Sequence, residues 1–205
     1  WGGYSIAGNL HKIRESVGSG PLQPPVWYTE LGWRYSQHHG GSFRDRPNLH
    51  DHLVTPSLQA AYMVRTYLYA LRLGVGRVHM MSLHDTDSFN GGLIDRSTLE
   101  WRLVADGIHQ LIETMPHPQI VASQADGGNG RFIYQYDADV TSADEHPVIV
   151  AWQANEPENV TVSVPGGMTA ATLHDLVGNT REVEVVEGAV SIEIGPFPVY
   201  LTFDG

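Results

Sequence analysis

Cysteine is absent from the 205-residue sequence. Neither disulfide bonds nor thiolate metal ligands are therefore available, and composition does not fix the redox compartment. There is also no apolar run long enough to span a bilayer, and residues 1–10 lack the charged and apolar regions of a secretory signal. We expect no membrane partner, and the localisation stays undetermined, with secretion left open.

Positive charge is scarce as well. Lys and Arg total 12 against 23 Asp and Glu, which gives a formal net charge of -11. This balance provides no electrostatic basis for binding nucleic acid or an anionic membrane, so we expect neither as a partner. A neutral, sugar-like ligand fits the composition better than an anion.

The first part of the chain alternates helical and strand-like patterns. Apolar residues at helical spacing predict a helix that ends at Gly18. The branched and aromatic run 24–30 predicts a buried strand. A second helix follows, with Thr55 as its N-cap, Pro56 in its first position and Gly74 as its end.

Another strand and another helix complete this part of the chain. Residues 76–83, GRVHMMSL, predict a second buried strand. Ser97 and Glu100 have the spacing of a capping box, which predicts a helix that lasts until Pro116. The order of helix, strand, helix, strand, helix indicates an α/β fold, with continuously apolar parallel strands covered on both faces.

From about Gln119 onward the apolar period changes to two. Roughly seven short strands separated by Gly, Pro and Asn predict a β-sandwich, with Trp152 packed inside it. DLVGN and VVEGAV have the composition of hairpin turns. We therefore expect two domains, residues 1–118 and residues 119–205.

A single glutamate closes the first predicted strand. Glu30 is followed by the long polar loop 34–52, and the second strand ends in SLHDTDSFNGG, which contains His84 and Asp85. The carboxyl ends of parallel strands share one edge of a sheet, where barrel enzymes place their working residues. A carboxylate there, beside aromatic rings able to stack on a sugar, suits the nucleophile of a retaining glycosidase.

Three stretches in order resemble a known family. VWYTELGW, then QAAYMVRTYLYALRLGVGRVHMMSLHD, then GGLID are similar to the seventh strand, seventh helix and eighth strand of clan A glycoside hydrolases. DLVGN and PFPVYLTF resemble parts of the β-sandwich that often follows such barrels. The resemblance implies that residues 1–118 form about the last two βα units of a TIM-type (β/α)8 barrel, followed by an all-β sandwich.

The resemblance also implies an activity and a site. The expected function is a retaining β-glycosidase or β-glycanase that acts by double displacement, with Glu30 as the nucleophile and a carbohydrate as the substrate. The substrate-binding candidates that the resemblance implies are Trp33, His84 and Asp85. His38 and His39, in the polar loop over the cleft, are further substrate-binding candidates. No cofactor and no metal are expected.

The chain departs from the family pattern in two places. The family's eighth strand often brings an aromatic ring to the sugar, whereas this strand contains HMMSL. The family's acid/base glutamate follows an asparagine on strand four, and the only Asn-Glu pair, Asn155-Glu156, lies between two sandwich strands. We expect the acid/base on an N-terminal half of the same enzyme. The 205 residues alone should lack activity and should associate with that half or with copies of themselves.

Plainer readings of the same residues stay open. Glu30 could be a structural carboxylate paired with Arg34. The loop histidines do not have the fixed spacing of a metal site, so a polar rim loop is the expected structure. A solvated acidic loop is expected, rather than a calcium site, for Asp137, Asp139, Asp144 and Glu145. The alternative function is a non-catalytic carbohydrate-binding or structural module derived from such a barrel.

Overall fold

The computed structural model describes residues 6–17, 25–33, 55–80, 82–86 and 91–203, which contain three α-helices, a short 3-10 helix at Gly128–Gly130 and ten strands. The first elements are α1 (Ile6–Val17), β1 (Trp27–Leu31), α2 (Pro56–Arg72), β2 (Arg77–Met80) and α3 (Leu103–Thr114). The remaining strands are β3 (Gln119–Asp126), β4 (Arg131–Asp137), β5 (Pro147–Gln153), β6 (Glu158–Ser163), β7 (Ala170–His174), β8 (Thr180–Glu184), β9 (Ala189–Ile194) and β10 (Val199–Phe203). Mixed α/β architecture is therefore confirmed.

Strands β1 and β2 pair in parallel, as their sequences predict. One face of this pair packs against the helices, where Leu10 of α1 and Ala70 of α2 are buried beside Tyr28 of β1. On the opposite face Trp27 is 50% exposed, and the Arg77 guanidinium lies 4.7 Å from its ring centroid.

The prediction that both strands are buried on both faces is therefore wrong within the described residues. Trp27 belongs to the run 24–30 for which a buried strand was predicted, and its exposure contradicts that prediction. The physical reason is that α1 and α2 cover only one face of the pair, and the apolar run in the sequence cannot reveal which of its two faces has a cover. Burial along β2 instead alternates between exposed and intermediate.

Helix α2 forms as predicted at both ends. The Thr55 hydroxyl accepts a hydrogen bond from the backbone N–H of Leu58, and Pro56 occupies the first turn, where its missing N–H costs nothing. Gly74 follows the helix with φ of 73°, a left-handed conformation that favours glycine. None of the helices in the described ranges has the length and hydropathy of a membrane span.

Helix α3 begins at Leu103, later than the capping box of Ser97 and Glu100 predicts, so that prediction is wrong. The hydroxyl of Ser97 donates to Asp95 Oδ1 at 2.5 Å, so it is committed to a turn before the helix. Arg102 is the N-cap and makes no side-chain capping bond. Pairing of Ser97 with Asp95, two residues earlier, outcompetes the capping role that its spacing from Glu100 suggested.

Eight strands, rather than about seven, follow residue 118. Six form a large antiparallel sheet in the order β3-β4-β5-β10-β7-β8, and β6 pairs with β9 in a second, two-stranded sheet. The predicted turn at DLVGN is confirmed: Asp175 Oδ1 accepts hydrogen bonds from the N–H groups of Val177 and Asn179, and Gly178 has φ of 92°.

The large sheet is covered on both faces. Along β5, Ile149 and Ala151 are in one hydrophobic cluster, which the sheet forms with β6 and β9. Val150 and Trp152 alternate with them and are in another cluster with α2 and α3. Trp152 is buried as expected, but it lies between the sheet and the helices, not inside a sandwich.

Candidate functional site

The carboxyl ends of β1 and β2 lie side by side at one edge of the parallel pair. Leu31, the last residue of β1, is paired with Met80, the last residue of β2. Glu30 immediately precedes Leu31, so its backbone is at this edge. The structure describes the backbone of Glu30 but not its side chain, and its catalytic role stays a prediction.

A register shift interrupts β1 between Tyr28 and Leu31, the interval that contains Glu30. Tyr28 is paired with Val78 and Leu31 with Met80, so three steps along β1 match two along β2. The extra residue on β1 makes this a β-bulge, a feature that is over-represented next to active sites.

Trp33, two residues beyond β1, is attached to α2 by three contacts. Its indole Nε1–H donates to Thr66 Oγ1 at 3.3 Å, and its ring centroid lies 5.0 Å from that of Tyr62. The buried amide of Gln59 donates through Nε2 to the Trp33 carbonyl at 2.9 Å. The strand end that carries Glu30 is therefore fixed to the helix that follows it.

Sequence reasoning missed Gln59. The side chain is fully buried in a helix whose neighbouring positions are apolar. A buried amide requires hydrogen-bond partners, so a lone polar residue inside an apolar helix was the available signal. Without the fold, nothing indicates that its partner is the backbone of Trp33.

Asp85 lies beyond the end of β2 in a buried ion cluster. Arg102 donates through Nη1 to Asp85 Oδ1 at 2.5 Å and through Nη2 to Asp85 Oδ2. The backbone N–H of Gly92 donates to Asp85 Oδ1 at 3.1 Å. Both carboxylate oxygens of Asp85 are thus hydrogen-bonded to other groups of the protein. A carboxylate bonded in this way holds neighbouring segments in position.

Asp95 is the second carboxylate of this cluster. It accepts from Arg102 Nη2 at 2.7 Å through Oδ2, while Oδ1 accepts from Ser97 and from the N–H of Thr98. The hydrogen bond from the Ser97 hydroxyl, followed by that from Arg102, lowers the pKa of Asp95 far below its ordinary value. Neither Asp95 nor Arg102 was singled out from sequence, because an isolated Asp or Arg carries no spacing signal.

Glycine is required where two of these segments cross. A Cβ atom on Gly92 would collide with the backbone of His84 and Asp85. The close approach places the GGLID segment directly on the end of β2. The sequence resemblance included this segment, and the structure supplies the physical reason for its glycine.

His84 is exposed and is the one predicted contact in this connection whose side chain reaches solvent. Its Nδ1 lies 2.8 Å from the carbonyl oxygen of Asp85, and the Ser82 hydroxyl donates to the His84 carbonyl. Because a carbonyl oxygen only accepts, Nδ1 carries the proton in this bond. The other nitrogen of a neutral ring, Nε2, is then an acceptor.

The other predicted site residues fall elsewhere. His38, His39 and the proposed partner Arg34 lie outside the described residues. Among the residues that are described, no group of three or more His, Asp or Glu side chains is arranged to hold a metal ion. Asn155 lies in the turn between β5 and β6, where its Nδ2 donates to the Asn129 carbonyl at 3.1 Å.

The fold is similar to that of solved glycoside hydrolases. A family 39 glycoside hydrolase from Bacteroides cellulosilyticus WH2 matches 96% of the chain with a TM-score of 0.66 and 21% identity. A GH30 endoxylanase from Clostridium papyrosolvens C71 matches 88% with a TM-score of 0.62 and 11% identity. CelM2, a bifunctional glucanase-xylanase from a metagenome library, matches 88% with a TM-score of 0.57 and 10% identity.

These matches establish a shared fold with clan A glycoside hydrolases of families 39 and 30. The chain covers 37%, 42% and 31% of the three proteins, in the order given above, so it spans less than half the length of each. No protein-family model and no curated protein sequence matches the chain.

Proposed function

We propose that the protein is a retaining β-glycosidase or β-glycanase in which Glu30 is the nucleophile. The observation that carries this proposal is the backbone position of Glu30, at the register shift where β1 ends beside the end of β2. Working residues of βα barrels occupy this edge. Fold similarity to glycoside hydrolases supports a carbohydrate substrate.

The proposed architecture is a partial barrel followed by a sandwich. In this proposal residues 1–118 supply about the last two βα units of a (β/α)8 barrel, and residues 119–205 form the all-β domain. The parallel pair of β1 and β2 with α2 between them supports the first part. The two antiparallel sheets that share a hydrophobic cluster support the second.

We assign the large sheet a supporting role. Its buried side chains Tyr134, Tyr136 and Trp152 pack in one cluster with α2 and α3, and the hydroxyl of Tyr136 donates to the Leu68 carbonyl at 3.1 Å. The sheet therefore holds the two helices that flank the end of β2. In this role the sheet keeps α2 and α3 in place, and these helices in turn support the proposed site at the end of β2.

The proposed reaction is a double displacement. The carboxylate of Glu30 attacks the anomeric carbon, the glycosidic C–O bond breaks, and the leaving oxygen takes a proton from a carboxylic acid. Water then attacks the glycosyl ester and gives a proton to the second carboxyl group, which lost its own in the first step. This step releases the carboxylate of Glu30. Retaining chemistry requires the two carboxyl groups to be roughly 5 to 5.5 Å apart.

We propose that this second carboxyl group belongs to a segment of the same protein that precedes residue 1. The chain spans less than half of its structural neighbours, which leaves room for such a segment. The same segment would cover the exposed face of the parallel pair, where Trp27 is half-exposed. Self-association through that face is the other arrangement that would cover it.

Substitution of Glu30 in the full-length protein tests the proposal. Glu30→Ala should reduce hydrolysis of aryl β-glycosides by several orders of magnitude, because no covalent intermediate can form. Azide should restore part of the activity, since a small anion fits the vacated space. Glu184→Ala, an exposed glutamate on β8, serves as the control and should keep wild-type turnover. Undiminished turnover by Glu30→Ala would leave the non-catalytic carbohydrate-binding or structural module as the better description.

A further inference from the structure

The connection between β2 and α3 contains a miniature sheet of three segments. His84 forms a parallel bridge with Ile94, and Ile94 forms an antiparallel bridge with Trp101. Residues directly opposite one another in such ladders project from the same face. His84, Ile94 and Trp101 therefore form one row across the connection, and this row is named here the rim strip.

The face behind the rim strip is locked in place. Asp85, Asp95 and Arg102 each follow a member of the strip by one residue, so they project to the opposite side. Asp85 and Asp95 are buried, and Arg102, whose side chain is 9% exposed, joins them by its bonds to both carboxylates. The ion cluster thus fixes the inner side of the miniature sheet, and the strip is turned outward.

The strip presents a large aromatic surface to solvent. Trp101 is 64% exposed, an unusual state for the largest apolar side chain, and Leu99 beside it is 76% exposed. Ile94 is half-buried between Trp101 and the exposed ring of His84. Two ladder spacings separate His84 from Trp101, which is about 10 Å.

Polar recognition is built into one end of the strip. His84 Nδ1 is engaged with the Asp85 carbonyl, so Nε2 is the ring nitrogen left to accept a hydrogen bond from a ligand. Ligand sites combine apolar surface with a few oriented polar groups. The rim strip has both, since an aromatic face lies at one end and a fixed hydrogen-bond acceptor at the other. Sugars offer the complementary surface, an apolar ring face edged by hydroxyl donors.

We propose that the rim strip is a carbohydrate-binding subsite in which Trp101 stacks on the apolar face of a neutral sugar and His84 Nε2 accepts a hydrogen bond from one of its hydroxyl groups. The strip begins beyond the carboxyl end of β2, beside the edge that carries Glu30, so the location of the subsite next to the scissile bond rests on the proposed function. A neutral sugar is the occupant because the net charge of -11 disfavours an anionic one.

Trp27 provides a matched control. It is 50% exposed, but it begins β1 at the opposite, amino end of the parallel pair. The chain contains 5 tryptophans, so incorporation of fluorotryptophan should give 5 fluorine NMR signals. The variants Trp101→Phe and Trp27→Phe assign the signals of interest by their disappearance.

The experiment titrates the labelled 205-residue chain with xylohexaose and, separately, with cellohexaose. The Trp101 signal should shift saturably with one or both oligosaccharides while the Trp27 signal stays in place. Trp101→Ala should weaken binding at least 10-fold by calorimetry, His84→Ala should weaken it by a smaller factor, and Trp27→Ala should leave it unchanged.

Other results would overturn the subsite. The proposal fails if neither sugar shifts the Trp101 signal, if the Trp101 and Trp27 signals shift equally, or if Trp101→Ala binds the sugars with unchanged affinity. Broadening of the Trp101 signal with protein concentration alone would show that a second copy of the chain covers the strip instead. Because the readout is binding, it does not depend on Glu30. Sugar binding at Trp101 together with full activity of Glu30→Ala would reject the proposed nucleophile and keep the subsite. Absence of sugar binding at Trp101 together with loss of activity in Glu30→Ala would reject the subsite and keep the nucleophile.

Discussion

The guanidinium group of Arg102 donates to both carboxylate oxygens of Asp85 from the other end of the connection between β2 and α3. Asp85 follows the end of β2, and Arg102 immediately precedes α3, so one ion pair closes the whole connection. Asp95 completes the cluster through Arg102 Nη2. The outward face of this connection carries His84 and Trp101, and the ion pair is therefore what holds the proposed sugar-binding surface in place.

Removal of Arg102 should destabilise the protein strongly. Arg102→Met leaves two buried carboxylates without their cation, and loss of one partner of a buried pair typically costs about 3 to 5 kcal/mol. The matched control is Arg131→Met, since Arg131 pairs with Glu158 but is 42% exposed, and loss of so exposed a pair should cost far less than loss of Arg102. Urea unfolding with comparable m-values measures both. Similar costs for the two variants would show that the Arg102 cluster is not a buried network.

Asp95 should contribute an acid-dependent part of the stability. Its pKa is lowered in the folded state, so the unfolded state binds more protons between the folded value and the unfolded value of about 3.9. The stabilisation is therefore fully present above about pH 4 and is lost as the pH falls through the folded pKa. Asp95→Asn should be less stable at neutral pH and should show a shallower loss on acidification. Equal acid slopes for the variant and the wild type, from urea midpoints at several pH values, would contradict this assignment.

Local patterns were sufficient for most of the secondary structure. The Thr55 cap, the Gly74 end of α2 and the turn at Gly178 all depend on the backbone needs of a few adjacent residues, which the sequence displays directly. The parallel pairing of β1 with β2 also followed from the strand-helix-strand order. Those features are local or follow from chain order, so one sequence was enough to predict them.

Features that depend on distant partners were not predictable in this way. The hydroxyl of Ser97 had an equally plausible partner at Glu100, and the fold selected Asp95 instead. Trp152 alternates correctly along β5, but only the position of α2 and α3 decides that its face of the sheet is the helix-covered one. Likewise, the cluster of Asp85, Asp95 and Arg102 combines residues whose sequence spacing matches no motif.

Trp152 should connect the stability of the helices to that of the large sheet. Its ring stacks on Phe132 with centroids 4.7 Å apart and lies in the cluster shared with α2 and α3. Trp152→Ala should therefore cost about 3 to 5 kcal/mol and lower a single unfolding transition. Trp101→Ala, at an exposed position, should change stability by about 0.5 kcal/mol or less. Circular dichroism, which mainly follows the helices, and the NMR signals of the β5 backbone amides, which follow the large sheet, should report the same midpoint. Separate midpoints would show that helices and sheet unfold independently.

The most direct test of the account is to trap the nucleophile. A fluorinated β-xyloside or β-glucoside with a dinitrophenolate leaving group should react with the full-length protein, because that leaving group departs without a proton donor and the fluorine slows hydrolysis of the glycosyl ester. Mass spectrometry after proteolysis should find the sugar on the peptide that contains Glu30, and Glu30→Gln should remain unlabelled. Attachment of the sugar to another carboxylate, or equal labelling of Glu30→Gln, would contradict the claim that Glu30 is the nucleophile.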